Sequence, residues 1–228
     1  MALNKSNGNM YTWLTHTWNT VKGECPHGCT YCYMKRWGKQ KPVRFDEKEL
    51  KTDLGSGNFI FVGSSCDMFA DDIPDEWIME TLKYCSLAYN NYLFQSKNPA
   101  RIWASRELLP VCSTICTTIE TNRWMPEIMN GSPMPVYRAA YMNRIHFYYD
   151  TFITIEPIMQ FDLKELVELI KICHPKQVNI GFNTSYKVQL PEPSEQKTIE
   201  LITELKKFTK VKLKSNSQRI IKDKSLYL

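Results

Sequence analysis

Short apolar runs bounded by turn-forming residues alternate along this chain with longer segments whose apolar positions return every three or four residues. The short runs read as strands: Asn58-Phe-Ile-Phe-Val-Gly63, Tyr92-Leu-Phe-Gln-Ser96, Val111-Cys-Ser-Thr-Ile-Cys-Thr-Thr118, Thr151-Phe-Ile-Thr-Ile-Glu156 and Gln177-Val-Asn-Ile-Gly-Phe182 are rich in β-branched and aromatic residues. An opening strand falls between Trp13 and Thr20. The longer segments read as helices. Pro74 to Ala88 has helical spacing, with Pro74 placed for a first turn. In Phe161 to Ile172, Asp162 is expected to cap, Glu165 to complete a capping box, and Leu163, Leu166, Val167 and Ile170 to share one face. About six strand–helix units result. Such alternation needs crossover connections, hence an α/β fold with a mainly parallel sheet and outer helices, and ligands gather at the carboxyl ends of its strands.

Length and composition fit one globular domain over residues 1–228, and no membrane span or low-complexity segment is seen. The net charge of +5 is uneven. Residues 206–224 hold eight of the 29 Lys and Arg and one of the 24 Asp and Glu, so that segment carries +7 and the remainder −2. This basic stretch suits a phosphate backbone. It equally suits an edge strand, because Lys210, Lys212 and Lys214 alternate with Val211 and Leu213 and lysines discourage pairing with other sheets.

The chemistry concentrates in residues 24–34, where Cys25, Cys29 and Cys32 lie in Glu24-Cys-Pro-His-Gly-Cys-Thr-Tyr-Cys-Tyr33. The loop directly follows the opening strand, so it belongs to the ligand-binding face. Three thiolates leave one iron of a cubane cluster unligated by protein, whereas electron-transfer ferredoxins supply four. A structural zinc is the rival reading, with His27 as fourth ligand, although zinc sites usually draw on two separated ligand pairs. Three cysteines cannot pair among themselves, and no segment reads as a secretory signal, so the eight cysteines are expected to be reduced and cytoplasmic. Cys85 and Cys173 read as helix core residues, and Cys112 and Cys116 as neighbours on one side of a strand.

The C-x3-C-x2-C spacing resembles that of the radical S-adenosylmethionine (radical SAM) superfamily. Further segments resemble a phage-type branch of it, similar to spore photoproduct lyase: Thr17-Trp-Asn19, Phe61-Val-Gly-Ser-Ser-Cys-Asp67, Pro74-Asp-Glu76, Ser96-Lys-Asn-Pro99 and Ile155-Glu-Pro157, in the family's order. The resemblance implies a partial (β/α)6 barrel and a [4Fe-4S] cluster on Cys25, Cys29 and Cys32. It implies that the open iron chelates SAM, whose reductive cleavage gives a 5′-deoxyadenosyl radical, with a flavodoxin- or ferredoxin-type protein as electron source. The positioning of such a cofactor is the protein's task.

By the same resemblance Tyr31 packs near the adenine, and Gly63, Ser64 and Ser65 meet the methionine amino group. Thr118, Glu120 and Asn122 hold ribose or carboxylate, Arg138 is a candidate for the carboxylate, and Glu156 and Asn183 face the same mouth. Polar residues at strand ends also cap following helices, which is the plainer reading of each. Cys66 is a candidate hydrogen donor to a radical, or simply a small half-buried hydrophobe.

The resemblance favours a nucleobase or modified nucleotide as substrate. Trp37 on the basic loop Lys35-Arg-Trp-Gly-Lys-Gln-Lys41, with Tyr148 and Tyr149, fits base stacking, though core packing explains aromatics as readily. The alternatives are a radical SAM enzyme acting on a small metabolite or peptide, and a non-catalytic binding protein built on zinc.

Overall fold

Strand formers and crossover helices set the architecture. The computed structural model describes residues 3–6, 11–185 and 187–227. In chain order the elements are β1 (Asn4–Lys5), β2 (His16–Trp18), β3 (Val21–Lys22), β4 (Arg44–Phe45), β5 (Phe59–Val62), α1 (Asp75–Cys85), β6 (Asn91–Gln95) and α2 (Pro99–Ala104). There follow β7 (Ser113–Thr118), α3 (Pro126–Met129), α4 (Pro135–Ile145), β8 (Asp150–Ile155), α5 (Leu163–Lys171), β9 (Gln177–Ile180), α6 (Glu195–Leu205) and β10 (Lys210–Leu213).

One eight-stranded sheet runs β1-β2-β5-β6-β7-β8-β9-β10. Every pairing is parallel except β1 with β2. Sequential order with parallel pairing is what successive crossovers produce. Strands β3 and β4 form a separate antiparallel pair that flanks the cysteine loop.

Alternation along each strand assigns its two faces. Ile60, Val62, Tyr92, Phe94, Ile115, Ile153, Ile155, Val178 and Ile180 join Ile78, Leu82, Leu166, Ile170, Leu201 and Leu205 of the helices in the main core. Each such side chain, fully buried, stabilises by roughly 1.5–3 kcal/mol. The opposite, inner face is apolar at its amino end, where Phe61, Leu93 and Cys116 pack with Tyr11 and Leu14, and with Trp13, Phe59 and Phe152 at the margin. Towards the carboxyl end it turns polar: Thr118, Thr154, Asn179 and Lys212 form one cross-strand row.

Some expectations need correction. Asp162 precedes α5 but its side chain makes no cap, because its carboxylate is taken by Arg123 and by Asn122. The capping box with Glu165 therefore does not form. Val111 and Cys112 lie before β7 and Cys112 is exposed, so it does not share a strand face with Cys116. The Lys210–Leu213 segment is a strand at the sheet edge. No helix among the described residues is long and apolar enough to cross a membrane.

Candidate active site

The cysteine loop follows β2 at the carboxyl end of the sheet, after the short strand β3 (Val21–Lys22). Gly28 takes a positive φ of 61°, and a Cβ there would come within 2.7 Å of the Asn130 amide, so glycine fits this bend. Cys29 is buried, while Cys25 and Cys32 are half-buried. The Cys29 sulfur lies 3.1 Å from the Ser132 hydroxyl. Interaction with the neighbouring Cys66 lowers Cys25 to about 6, while Cys66 is itself pushed far up, chiefly by Cys25. Burial raises Cys32, and the charges of Cys25 and Cys29 add to it, so the three thiols sense one another.

His27 is held between Asp67 and Gly131: Nε2 is 2.9 Å from the Asp67 carboxylate and Nδ1 is 3.3 Å from the Gly131 carbonyl. Burial opposes a charge on this ring, but Asp67 outweighs it and the His27 pKa is raised. Asp67 also accepts from the Ser96 hydroxyl (2.9 Å) and the Lys97 amide (2.8 Å). Burial would raise its carboxyl; His27 and these donors more than offset that and hold it low. Both His27 nitrogens thus have protein partners, which removes the fourth ligand of the zinc reading.

The donor set suits a cluster instead. Among the described residues no three His, Cys, Asp or Glu converge as a single metal ion requires. A cubane takes one thiolate on each of three irons and so needs soft donors spread along a loop, with hydrogen-bond donors beside them. Cys66, beside Cys25, carries such a donor, and the Ser132 hydroxyl, which donates to the Met129 carbonyl at 2.7 Å, lies 3.1 Å from the Cys29 sulfur.

At the ends of the following strands lies a buried charged group. Glu120 has no exposed surface, and its carboxylate meets Arg138 Nη1 at 2.8 Å, Lys97 Nζ at 2.5 Å and the Tyr31 hydroxyl. Burial alone would raise Glu120, yet Arg138 and Lys97 keep it well below the usual carboxylate range. Arg138, also fully buried, donates to the Thr118 carbonyl at 2.9 Å and the Pro133 carbonyl at 2.6 Å. Lys97 Nζ stands 5.2 Å from the Tyr31 ring centre. Tyr31, Thr118, Glu120 and Arg138 are therefore brought together, and Lys97 joins them.

Gly63, at φ 79°, turns the chain out of β5. Asn19 then accepts from the Ser64 hydroxyl (3.2 Å) and the Ser65 amide (2.9 Å), while Tyr33 donates to the Ser64 carbonyl at 2.6 Å. Glu156 follows β8 on the face of Phe152 and Thr154, paired with Lys214, which lies 4.7 Å from the Tyr11 ring centre, and accepting from Asn216 at 2.8 Å. Asn183 braces its own loop, donating to the Val188 carbonyl at 2.7 Å. Asn122 is bound to Asp162 at the start of α5 and is not part of the charged group. Sequence reasoning missed Lys97 and Asn19 as site residues, although both sit inside family-like segments, Ser96-Lys-Asn-Pro99 and Thr17-Trp-Asn19.

No family model matches the chain, and no curated protein matches it. Solved structures of spore photoproduct lyase do resemble it. A complex of that lyase with dinucleoside spore photoproduct aligns at TM-score 0.59 and 11% identity, covering 90% of this chain and 64% of the lyase chain. A cysteine-to-serine mutant gives 0.63 at 10% identity over 94% and 80%. A double mutant with bound AdoMet and dinucleoside spore photoproduct gives 0.57 at 10% over 90% and 64%. The chain thus spans 64% of the length of these two lyase chains solved with dinucleoside spore photoproduct. Identity this low shows the fold alone: the chain is an α/β protein built like spore photoproduct lyase.

Proposed function

We propose that this chain is a radical SAM enzyme with a [4Fe-4S] cluster on Cys25, Cys29 and Cys32, acting on a nucleobase or modified nucleotide. The observation that carries the reading is the placement of three thiols on one loop at the carboxyl end of a parallel sheet, beside a buried charged group at the next strand ends. The cofactor pair, when bound, supplies one-electron reductive cleavage of SAM, chemistry that side chains lack.

The chain's own residues bind, orient and shield. Cys66 lies beside Cys25, and the Ser132 hydroxyl lies 3.1 Å from the Cys29 sulfur. Gly63, Ser64 and Ser65, fixed by Asn19, present backbone and hydroxyl groups beside the loop. Lys97, held beside the Tyr31 ring by the buried Glu120–Arg138 pair, offers a cation to the carboxylate of a zwitterionic amino acid group, with Thr118, Glu156 and Asn183 at neighbouring strand ends. Phe59, Phe61, Leu93 and Phe152 line the inner face with groups that exclude water. A nucleotide substrate is supported by likeness to a lyase solved with a dinucleoside, and a flavodoxin- or ferredoxin-type protein is the proposed reductant.

The test is anaerobic reconstitution with iron and sulfide, dithionite reduction, and chromatography for 5′-deoxyadenosine. The wild-type protein is expected to turn brown and release the nucleoside from SAM. Cys29→Ala should lose both; cleavage retained in that variant would sink the assignment.

A further inference from the structure

Two basic segments distant in sequence meet at the loop after β9. The first, 35–41, holds Lys35, Arg36, Lys39 and Lys41 and no acidic residue, and all four are exposed. At its centre Trp37 is 62% exposed. The Arg36 guanidinium lies 5.3 Å from the Trp37 ring centre and 5.9 Å from that of Tyr33. Arg36 Nη2 also reaches the Thr184 hydroxyl at 3.4 Å. The adjacent Asn183 carbonyl accepts at 3.3 Å from Arg219 of the second segment, whose charge is paired with Glu192. Lys35 and Arg36 spend their hydrogen bonds on the carbonyls of Gly28 and Tyr33 and on that hydroxyl, none of which neutralises charge.

In the second segment, register places Lys210 opposite Gln177 and Lys212 opposite Asn179, on the inner face. Both lysines are exposed. Val211 and Leu213 turn the other way, into the main core. Beside Lys212 the Asn179 Nδ2 is buried and has no hydrogen-bond partner, an unspent donor on the same face. Guarding a sheet edge accounts for lysines, but not for an exposed indole beside the cysteine loop with a guanidinium over its ring.

We propose that these segments form one track for single-stranded nucleic acid: Trp37 stacks on a base at the mouth, while the lysines of 35–41 and of β10 meet phosphates. The substrate is then a nucleotide within a strand rather than a free one; this rests on the nucleotide reading above. Aromatic platforms with flanking cations are how proteins hold unpaired strands, since every unstacked base offers a face. A duplex hides those faces.

The test is fluorescence anisotropy of a labelled single-stranded oligodeoxynucleotide with the reconstituted full chain across a salt series. Trp37→Ala should weaken binding about tenfold or more. The double variants Lys39→Glu/Lys41→Glu and Lys210→Glu/Lys212→Glu should each flatten the salt slope, by about 0.7 for every phosphate left without its cation. Unlabelled strand should compete far better than free nucleotides or a duplex. Salt-independent binding, unchanged affinity in all three variants, or equal competition by free nucleotide overturns the track. Iron content and 5′-deoxyadenosine release are read on the same samples. Lost strand binding with SAM cleavage intact overturns the track alone. Lost SAM cleavage with strand binding intact overturns the enzymatic reading and leaves the track standing.

Discussion

Glu120 compensates two cations in a place water does not reach. Arg138 has no exposed surface, and Lys97 is largely buried. Replacing Glu120 with Gln leaves those charges facing a neutral amide, and breaking a buried pair this way typically costs about 3–5 kcal/mol. Urea denaturation should show that loss, and Glu120→Gln/Arg138→Met should recover part of it. Cys66 presents a different case. Its thiol sits against Cys25, so Cys66→Ala is expected to assemble the cluster with wild-type iron and sulfide content but at a lower reduction potential, since hydrogen bonds to cluster sulfurs help set that potential. Cys66→Ser, which keeps a donor, should stay near wild type; electrochemical titration distinguishes them. The cysteine triplet was legible because its spacing is local. The Glu120 partners were not, because Tyr31, Lys97 and Arg138 reach it from three separate segments.

The elements formed where the apolar period said they would, with ends shifted by a few residues. Strand β5, expected at 58–63, runs Phe59–Val62. Its end depends on one residue's backbone: Gly63 takes φ 79°, and a Cβ there would lie 3.3 Å from the Cys66 carbonyl. Gly63→Ala should destabilise by about 1–2 kcal/mol from the left-handed conformation alone. It should also displace Ser64 and Ser65 from Asn19, read as a loss of SAM binding by calorimetry larger than the stability change accounts for. Local pattern failed at Asp162, whose composition predicts a cap. The nearby Arg123 guanidinium offers two charge-assisted bonds, and those prevail over the backbone amides of α5.

For the molecule as a whole, two carboxylates, the buried Glu120 and the half-buried Asp67, couple stability to pH. Asp67 and Glu120 are both held below their ordinary values in the fold, so each contributes stability that is present above its unfolded pKa and is lost as pH falls through the folded one. Denaturation midpoints should therefore be insensitive to these groups near neutrality and fall below about pH 4.5, with each proton taken up adding a slope of up to about 1.4 kcal/mol per pH unit. Glu120→Gln should remove its share of that slope.

The amino-acid sequence by itself determined the α/β alternation, the mainly parallel sheet and the cysteine loop on its ligand-binding face, because period, turn chemistry and spacing act between near neighbours. Only the tertiary structure decided which polar residues share the mouth. It gave His27 to Asp67 instead of to a metal, bound Asn122 to the start of α5, drew Lys97 into the charged group, and turned Lys210 and Lys212 to the inner face. Each of those outcomes depends on contacts between segments tens of residues apart, and long-range pairing of charges and hydrogen bonds leaves no periodic trace in a chain.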